Sequence, residues 1–257
     1  AQTILCCLPA GLLLMTALWM VSLAVGDSSI VDIWWGSGFV ALAWTAAVLG
    51  PGAGPARSWA LALVTIWGLR LTLHLARRNI GKGEDPRYVA MRRKAGRSWR
   101  VRSLFQVFWL QGLIMWIVCL PVLAAVTARD STPIAALLVI GVLGWLKGFA
   151  FEAIGDWQLT RFKAEESNAG QVMDRGLWRY TRHPNYYGDS VVWWSLGLIG
   201  ASVGAWWALV GPALITFMLV RVSGKELLER GMRKTRPGYD EYVLSTSGFL
   251  PLPPRHP

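Results

Sequence analysis

The stretch that decides the fold is 104–127, which reads LFQVFWLQGLIMWIVCLPVLAAVT and contains no charged residue. An α-helix rises about 1.5 Å per residue, so roughly 20 apolar residues cross the hydrocarbon core of a bilayer. This stretch is long enough to do so. Arg100 and Arg102 stand directly before it, and Arg129 stands just after it. The pattern therefore predicts a transmembrane helix with charged residues at both ends.

Similar apolar segments lie on both sides of this one along the chain. Turn-forming residues separate several of them, most clearly at 50–55, which reads GPGAGP. These segments predict an all-α integral membrane protein with seven transmembrane helices in a single membrane domain, 1–257. The predicted spans are 3–25, 30–50, 57–77, 104–127, 132–160, 187–202 and 204–229.

The composition supports the membrane class and excludes several others. Of 257 residues, 54% are hydrophobic and only 16% are charged, whereas a soluble domain is about 25% charged. The mean hydropathy is +0.39. Such a chain is neither disordered nor a disulfide scaffold. Its three cysteines show no CxxC spacing and its three histidines lie far apart, so no metal site is predicted.

The formal net charge of +11 is distributed unevenly along the chain. Basic residues concentrate in 78–103, 161–186 and 230–257, whereas connecting segments such as 51–56 carry few. Loops rich in Lys and Arg face the cytoplasm, and seven spans place these three segments on one side. The N-terminus is therefore predicted outside and the C-terminus in the cytoplasm. This topology accounts for the excess of basic residues, so no nucleic-acid partner is predicted.

Ionisable residues within predicted spans mark candidate functional positions, because a charge in hydrocarbon is costly. Glu152, Asp156 and Lys163 are four and then seven residues apart, which predicts one stripe along a helix. Arg221 and Lys225 are four apart and begin a second predicted stripe. Structural ion pairs that hold helices together are the alternative interpretation.

The segment 175–189, RGLWRYTRHPNYYGD, has the most specific pattern in the chain. Pro184 suits the first turn of a helix. Arg179 and Arg182, next to helix-start amides, suit a phosphate or carboxylate group. A juxtamembrane belt of aromatic and basic anchors is the alternative, but it does not explain Asn185 in this position.

This segment resembles the signature of the steroid 5α-reductase family, closest to its bacterial integral-membrane members of the 3-oxo-5α-steroid 4-dehydrogenase C-terminal-domain type. The resemblance extends from about residue 30 to the C-terminus. Further blocks carry it, namely VDIWWG at 31–36, GLRL at 68–71 followed by EDPRY at 84–88, and RVSGK at 221–225 followed by the stretch from Tyr239 to Pro251.

The resemblance implies a seven-helix reductase that uses NADPH to reduce the C=C bond of a 3-oxo-Δ4 steroid or similar conjugated enone. It further implies a multi-pass protein of the bacterial inner membrane. The cofactor site is expected to face the cytoplasm through the loops 78–103, 161–186 and 230–257. Membrane lipids and a steroid or lipid-like substrate are the expected partners, and no obligatory protein partner is inferred. The alternative is an S-adenosylmethionine-dependent methyltransferase of the isoprenylcysteine carboxyl methyltransferase type, since those enzymes share the Arg-His-Pro-x-Tyr run.

The resemblance also implies site residues for this reaction. In the family a carboxylic acid and a tyrosine from the early helices donate to the substrate ketone. Here Asp32 is the carboxylate of the second span, but no tyrosine lies in the first three, and Tyr88 falls in a predicted loop. An ion pair of Asp32, such as one with Arg70, is the alternative. The expected catalytic set is Asp32, Trp35 and Arg70.

A second set is expected to bind NADPH. Carboxylates suit ribose hydroxyls and the nicotinamide amide, whereas lysine and arginine suit phosphates. His183 has the alternative role of packing beside Pro184. The expected cofactor-binding residues are Glu152, Asp156, Lys163, Tyr180, Arg182, His183, Asn185, Tyr186, Arg221 and Lys225.

Overall fold

The computed structural model describes residues 2–129, 132–222 and 225–255, and this part of the chain is helical without any β-strand. Five of its helical segments are long and apolar enough to cross a membrane. The protein therefore has the architecture of an all-α integral membrane protein, as predicted. The five segments are α1 (Gln2–Val25), α2 (Ile30–Leu49), α3 (Pro55–Asn79), the continuous segment Pro86–Thr127 and the helix Ala135–Ala164.

The segment 78–103, predicted to be a loop, is largely helical. Asp85 caps the N-terminus of the next helix by accepting a hydrogen bond from the backbone N–H of Arg87, and Pro86 takes the first helical position. Both are strong helix-start signals. The segment Pro86–Thr127 consists of α4 (Pro86–Ala95), α5 (Trp99–Ser103), a π-helical turn (Leu104–Trp109) and α6 (Leu110–Thr127).

The later helices depart further from the predicted spans. Helix α7 (Ala135–Ala164) carries the whole first stripe, and α8 (Pro184–Ser202) begins at Pro184 rather than at 187. The predicted helix 204–229 is not one continuous α-helix. Its apolar part, Trp206–Val222, is a shorter helical segment. Seven spans therefore remain a prediction.

The residues after this apolar part form two short polar helices. Charged residues dominate from Lys225, so a helix there suits water or an interface rather than lipid. The segments that follow α8 are a 3₁₀ turn (Trp206–Leu209), α9 (Val210–Phe217), a π-helical turn (Met218–Val222), α10 (Lys225–Thr235) and α11 (Tyr239–Ser245).

The chain divides into two compact units. Unit 1 comprises Ala1–Leu138 and Ile199–Gly211, and unit 2 comprises Val139–Leu198 and Pro212–Pro257. Each unit carries part of the predicted site, and the single domain 1–257 remains a prediction.

In unit 1, helices α2 and α3 approach closely at a pair of glycines. A Cβ on Gly68 would lie 2.5 Å from the carbonyl oxygen of Gly36. Helix backbones approach this closely only where side chains are absent. The contact fixes the start of α2, and hence Asp32, against α3.

We expect Gly68→Ala to destabilise the protein by about 1–3 kcal/mol, because overpacking at a backbone contact forces the helices apart. The matched control is Gly231→Ala on α10, where no atom lies within 4 Å of the added Cβ. Thermal unfolding of both variants in detergent tests this prediction. An equal, small effect at both sites would contradict the close helix packing.

In unit 2, α7 and α8 pack through a second set of glycines. A Cβ on Gly148 would lie 2.8 Å from the carbonyl oxygen of Gly188. Further along, a Cβ on Gly155 would lie 3.2 Å from the backbone nitrogen of Asn185. The signature segment is thereby set directly beside the carboxylates of α7.

Candidate functional site

In unit 1, a three-residue cluster surrounds Asp32 in the first turn of α2. The Tyr88 hydroxyl donates a 2.7 Å hydrogen bond to Oδ1 of Asp32. Arg87 Nη2 lies 2.8 Å from Oδ2 and forms an ion pair with the same carboxylate. Arg87 also bonds Asp85, which holds its guanidinium in place. Oδ1 of Asp32 thus accepts a hydrogen bond from the Tyr88 phenol, and Oδ2 accepts one from the Arg87 guanidinium.

Two further contacts hold Tyr88 in this position. Gln111 Nε2 on α6 donates to the Tyr88 hydroxyl over 3.2 Å. At the base of α4, Glu84 accepts from the backbone N–H of Ser28 over 2.7 Å and pairs with Arg92 at 2.8 Å. Burial would raise the pKa of Glu84, but the hydrogen bonds from Arg92 and Ser28 outweigh it and lower the pKa. The turn before α2 is thereby fastened to α4, which places Tyr88 beside Asp32.

The other two predicted catalytic residues also belong to unit 1. Trp35 follows Asp32 on α2 and makes an edge-to-face contact with Phe39, with ring centroids 5.3 Å apart. Arg70 is half-buried on α3. The residue found against the carboxylate is Tyr88, in a segment that the sequence pattern predicts to be a loop. The EDPRY block carried the signal for it, because Asp85 and Pro86 are a helix start.

In unit 2, the predicted groups of α7 and α8 come together. Glu152 and Asp156 are 3% and 7% exposed. Asn185 Nδ2 donates to Asp156 Oδ1 over 3.1 Å. Lys163 lies exposed near the end of the same helix. A polar group made of carboxylate and amide side chains thus sits at the junction of the two helices.

Arg182 is mostly occupied by contacts within the protein. Its side chain is 8% exposed, and the guanidinium binds both carboxylate oxygens of Glu229, with Nε 3.0 Å from Oε1. Through Nη1 it also donates to the carbonyl oxygens of Val243 and Thr246. This arrangement fastens the signature segment to the C-terminal region, so Arg182 acts first as a structural clamp.

His183 joins the same buried cluster. Its Nε2 lies 3.1 Å from Oε1 of Glu229, and its ring stacks on Tyr186 with centroids 5.4 Å apart. Burial lowers the pKa of His183, against the opposing effect of the Glu229 hydrogen bond. Since the carboxylate accepts, the neutral ring carries its proton on Nε2. Burial alone would raise the pKa of Glu229, but the bonds from His183 and Arg182 lower it to about 2.

We expect acid to destabilise the protein through this cluster. Glu229 contributes stability fully above its ordinary pKa of 4.5 and loses it as the pH falls towards 2. His183, with its pKa below the ordinary 6.5, loses its contribution as the pH falls below 6.5. Unfolding in denaturant between pH 7 and 3 measures the decline. In Glu229→Gln, the loss of stability below pH 4.5 should disappear. An unchanged dependence of stability on pH in that variant would show that Glu229 is not its cause.

The remaining predicted cofactor residues lie nearer the surface. Tyr180 is exposed, and Arg221 pairs with Glu226 at 3.1 Å. Lys225 Nζ lies 2.8 Å from the position that a Cβ on Gly248 would occupy. The predicted stripe of Arg221 and Lys225 is divided between the π-helical turn and α10.

Metal binding has no structural basis in the part of the chain described here. No group of three or more His, Cys, Asp or Glu side chains within 2–129, 132–222 and 225–255 has an arrangement that could hold an ion.

Comparison with known proteins gives one family match. Residues 18–246 match the family described as "Protein of unknown function (DUF1295)". An uncharacterized protein of Schizosaccharomyces pombe is 27% identical over 181 residues, which cover 58% of this chain and 52% of that protein. The chain thus spans about half the length of this curated relative. No solved structure matches.

Proposed function

Because this chain belongs to the DUF1295 family, which is related in general to steroid 5α-reductase-like membrane proteins, we propose that it is an NADPH-dependent reductase. Its proposed reaction reduces the C=C bond of a 3-oxo-Δ4 steroid or a similar conjugated enone. The single observation that supports this most is the Tyr88–Asp32 hydrogen bond of 2.7 Å. This bond joins a tyrosine to a carboxylate, which are the two residue types that the resemblance implies. The two residues are 56 positions apart in the sequence.

NADPH, when bound, would supply a hydride to the β-carbon of the enone. As the C=C electrons move towards the carbonyl, negative charge develops on the ketone oxygen. The Tyr88 phenol is the donor we assign to that oxygen, by rotation of its hydroxyl away from Asp32. Donors aimed at a developing oxyanion give the largest catalytic gain in such reactions. The α-carbon of the enolate then takes a proton from solvent water, which gives the saturated ketone, and Tyr88 keeps its own proton.

In this proposal Asp32, Arg87 and Gln111 are positioning residues for the phenol. Asp32 and Gln111 bind the Tyr88 hydroxyl from two sides. Arg87 holds the Asp32 carboxylate by an ion pair, which restricts its orientation. The phenol ring is therefore held in place before substrate arrives, and only its hydroxyl has to turn towards the ketone oxygen.

The residues of unit 2 fit a dinucleotide in part. The Asp156–Asn185 pair and the buried Glu152 offer the carboxylate and amide groups that ribose hydroxyls and a nicotinamide amide require. Arg182 does not fit a phosphate, because its guanidinium is buried and bound to Glu229. We therefore assign Asp156 and Asn185 to cofactor binding and Arg182 to holding their segment in place.

The test is incubation of the purified protein with NADPH and a Δ4-3-ketosteroid. The expected result is oxidation of NADPH together with formation of the saturated ketone. Transfer of a methyl group from S-adenosylmethionine to an acceptor would instead establish the methyltransferase alternative. The substrate panel should include lipid enones, since an apolar ketone of either class suits the proposed chemistry.

We also propose the seven-span topology, with the N-terminus outside and the C-terminus in the cytoplasm of the bacterial inner membrane. The basic segments 78–103 and 230–257 support it. Single cysteines placed at 51–56 should react with an impermeant thiol reagent from outside intact cells, and those in 78–103 should not. The chain's own cysteines are first replaced by alanine. Labelling of 78–103 and protection of 51–56 would reverse the topology.

A further inference from the structure

Unit 2 contains an open cleft of about 800 Å³ that lies apart from the predicted cofactor residues. One wall is the loop that leads into the signature segment, and the other is α11 with the C-terminal residues. A cleft of this volume falls within the range of small-molecule sites, about 300–1,000 Å³. Three arginines and two carboxylates line it, and a hydroxyl group adds to them: Arg175, Arg179, Arg255, Asp174, Glu241 and Ser245.

The arginines that line the cleft are exposed, whereas Arg182 is buried and paired with Glu229. The Arg175 side chain is 69% exposed, and its ion pair with Asp174 is long at 3.9 Å. Arg179 and Arg255 are also exposed. Among residues 2–129, 132–222 and 225–255, neither of these two has a carboxylate within ion-pair distance. Two uncommitted guanidinium groups thus line a concave surface, which is a suitable arrangement for a phosphate.

The cleft is connected to the helix that carries Asp156. Gln158 of α7 accepts a hydrogen bond from the backbone N–H of Leu177 over 3.0 Å. Trp178 donates its indole N–H to the carbonyl oxygen of Gly155. The loop that forms one wall is therefore fixed to α7 within two residues of Asp156.

The opposite wall is held by the clamp described above. Arg182 donates to the carbonyl oxygen of Thr246, a residue that lines the cleft. The backbone N–H of Arg255 donates to the carbonyl oxygen of Ser245 over 2.8 Å. Both walls are thus part of the same folded region as the Asp156–Asn185 pair.

We propose that this cleft binds the adenosine-phosphate half of the dinucleotide cofactor, an inference that rests on the proposed function. Arg179 and Arg255 bind phosphate oxygens, and Glu241 with the Ser245 hydroxyl binds ribose hydroxyls. Phosphate binding is thereby assigned to Arg179, which the sequence pattern also indicates, and to Arg255, rather than to Arg182, which is paired with Glu229. In Rossmann folds an arginine accommodates the 2′-phosphate that distinguishes NADP from NAD, and the same charge complementarity applies to the arginines of this cleft.

The test is calorimetric titration of the detergent-purified protein with adenosine 2′,5′-bisphosphate, which is the proposed half-ligand. The variants are Arg179→Ala and Arg255→Ala. The matched control is Arg230→Ala, which removes an exposed guanidinium outside the cleft. We expect each cleft variant to weaken binding about tenfold or more, because a charge-assisted contact is lost. Adenosine without phosphate should bind the wild type weakly, and Arg230→Ala should bind the bisphosphate as the wild type does.

The outcomes separate this inference from the proposed function. If the wild type oxidises NADPH with an enone while both cleft variants bind the bisphosphate normally, the cleft assignment is wrong and the reductase stands. Equal weakening in Arg230→Ala would reveal a general charge effect and also reject the cleft. Bisphosphate binding that depends on Arg179 and Arg255, without any enone reduction, would retain the cleft and reject the reductase.

Discussion

Tyr88→Phe should lower the rate of enone reduction about 10²- to 10³-fold at saturating NADPH, because the donor to the developing oxyanion is removed. The ring and its packing are retained, so the fold and the affinity for NADPH should remain close to those of the wild type. The measurement is the single-turnover rate of hydride transfer. The control is Tyr187→Phe, since Tyr187 makes ring contacts with Phe151 and Phe249 that a phenylalanine preserves.

Two Asp32 variants test whether this carboxylate contributes to the reaction by holding the Tyr88 phenol. Asp32→Asn retains a polar group beside the Tyr88 hydroxyl, whereas Asp32→Leu leaves Tyr88 and Arg87 without their shared acceptor. We expect the rate to fall in both variants and further in Asp32→Leu. A near-normal rate in folded, NADPH-saturated Asp32→Leu would remove Asp32 from the mechanism.

Glu229→Ala should cost about 3–5 kcal/mol of stability, because it leaves the buried Arg182 without its neutralising partner. For a chain of this size, that corresponds to a fall of about 6–20 °C in the thermal midpoint. The control is Glu226→Ala on the same helix, whose ion pair with the exposed Arg221 should contribute about 1 kcal/mol at most. Thermal unfolding of both variants in detergent gives the comparison. Similar small losses in the two would show that the Arg182 clamp is not stabilising.

The sequence was sufficient for those features that depend on local pattern. The apolar runs predicted α1, α2 and α3 within a few residues, and the stripe of Glu152, Asp156 and Lys163 lies on one helix, α7, as expected. Pro184 marked the start of α8. Each of these follows from helix periodicity or from a residue with a strong positional preference.

The contacts that complete the Asp32 cluster and the Glu229 cluster could not be predicted from local sequence pattern. Tyr88 and Asp32 are 56 residues apart, and Arg182 and Glu229 are 47 apart. No periodicity relates residues across such distances. The charge-rich composition of 78–103 favoured a loop, although Asp85 and Pro86 marked a helix start within it. Asp85 and Pro86 together predict a helix that includes Tyr88. They do not predict that Tyr88 lies beside Asp32.

The most direct test of the proposed reductase is the fate of deuterium from NADPH in which both hydrogens at C4 of the nicotinamide are replaced by deuterium. Purified protein, labelled NADPH and a Δ4-3-ketosteroid should give a saturated ketone that carries the deuterium at its β-carbon, detected by mass spectrometry and NMR. Tyr88→Phe should give the same labelled product far more slowly. A saturated product without deuterium, or methylation from S-adenosylmethionine with no reduction, would contradict hydride transfer by this protein.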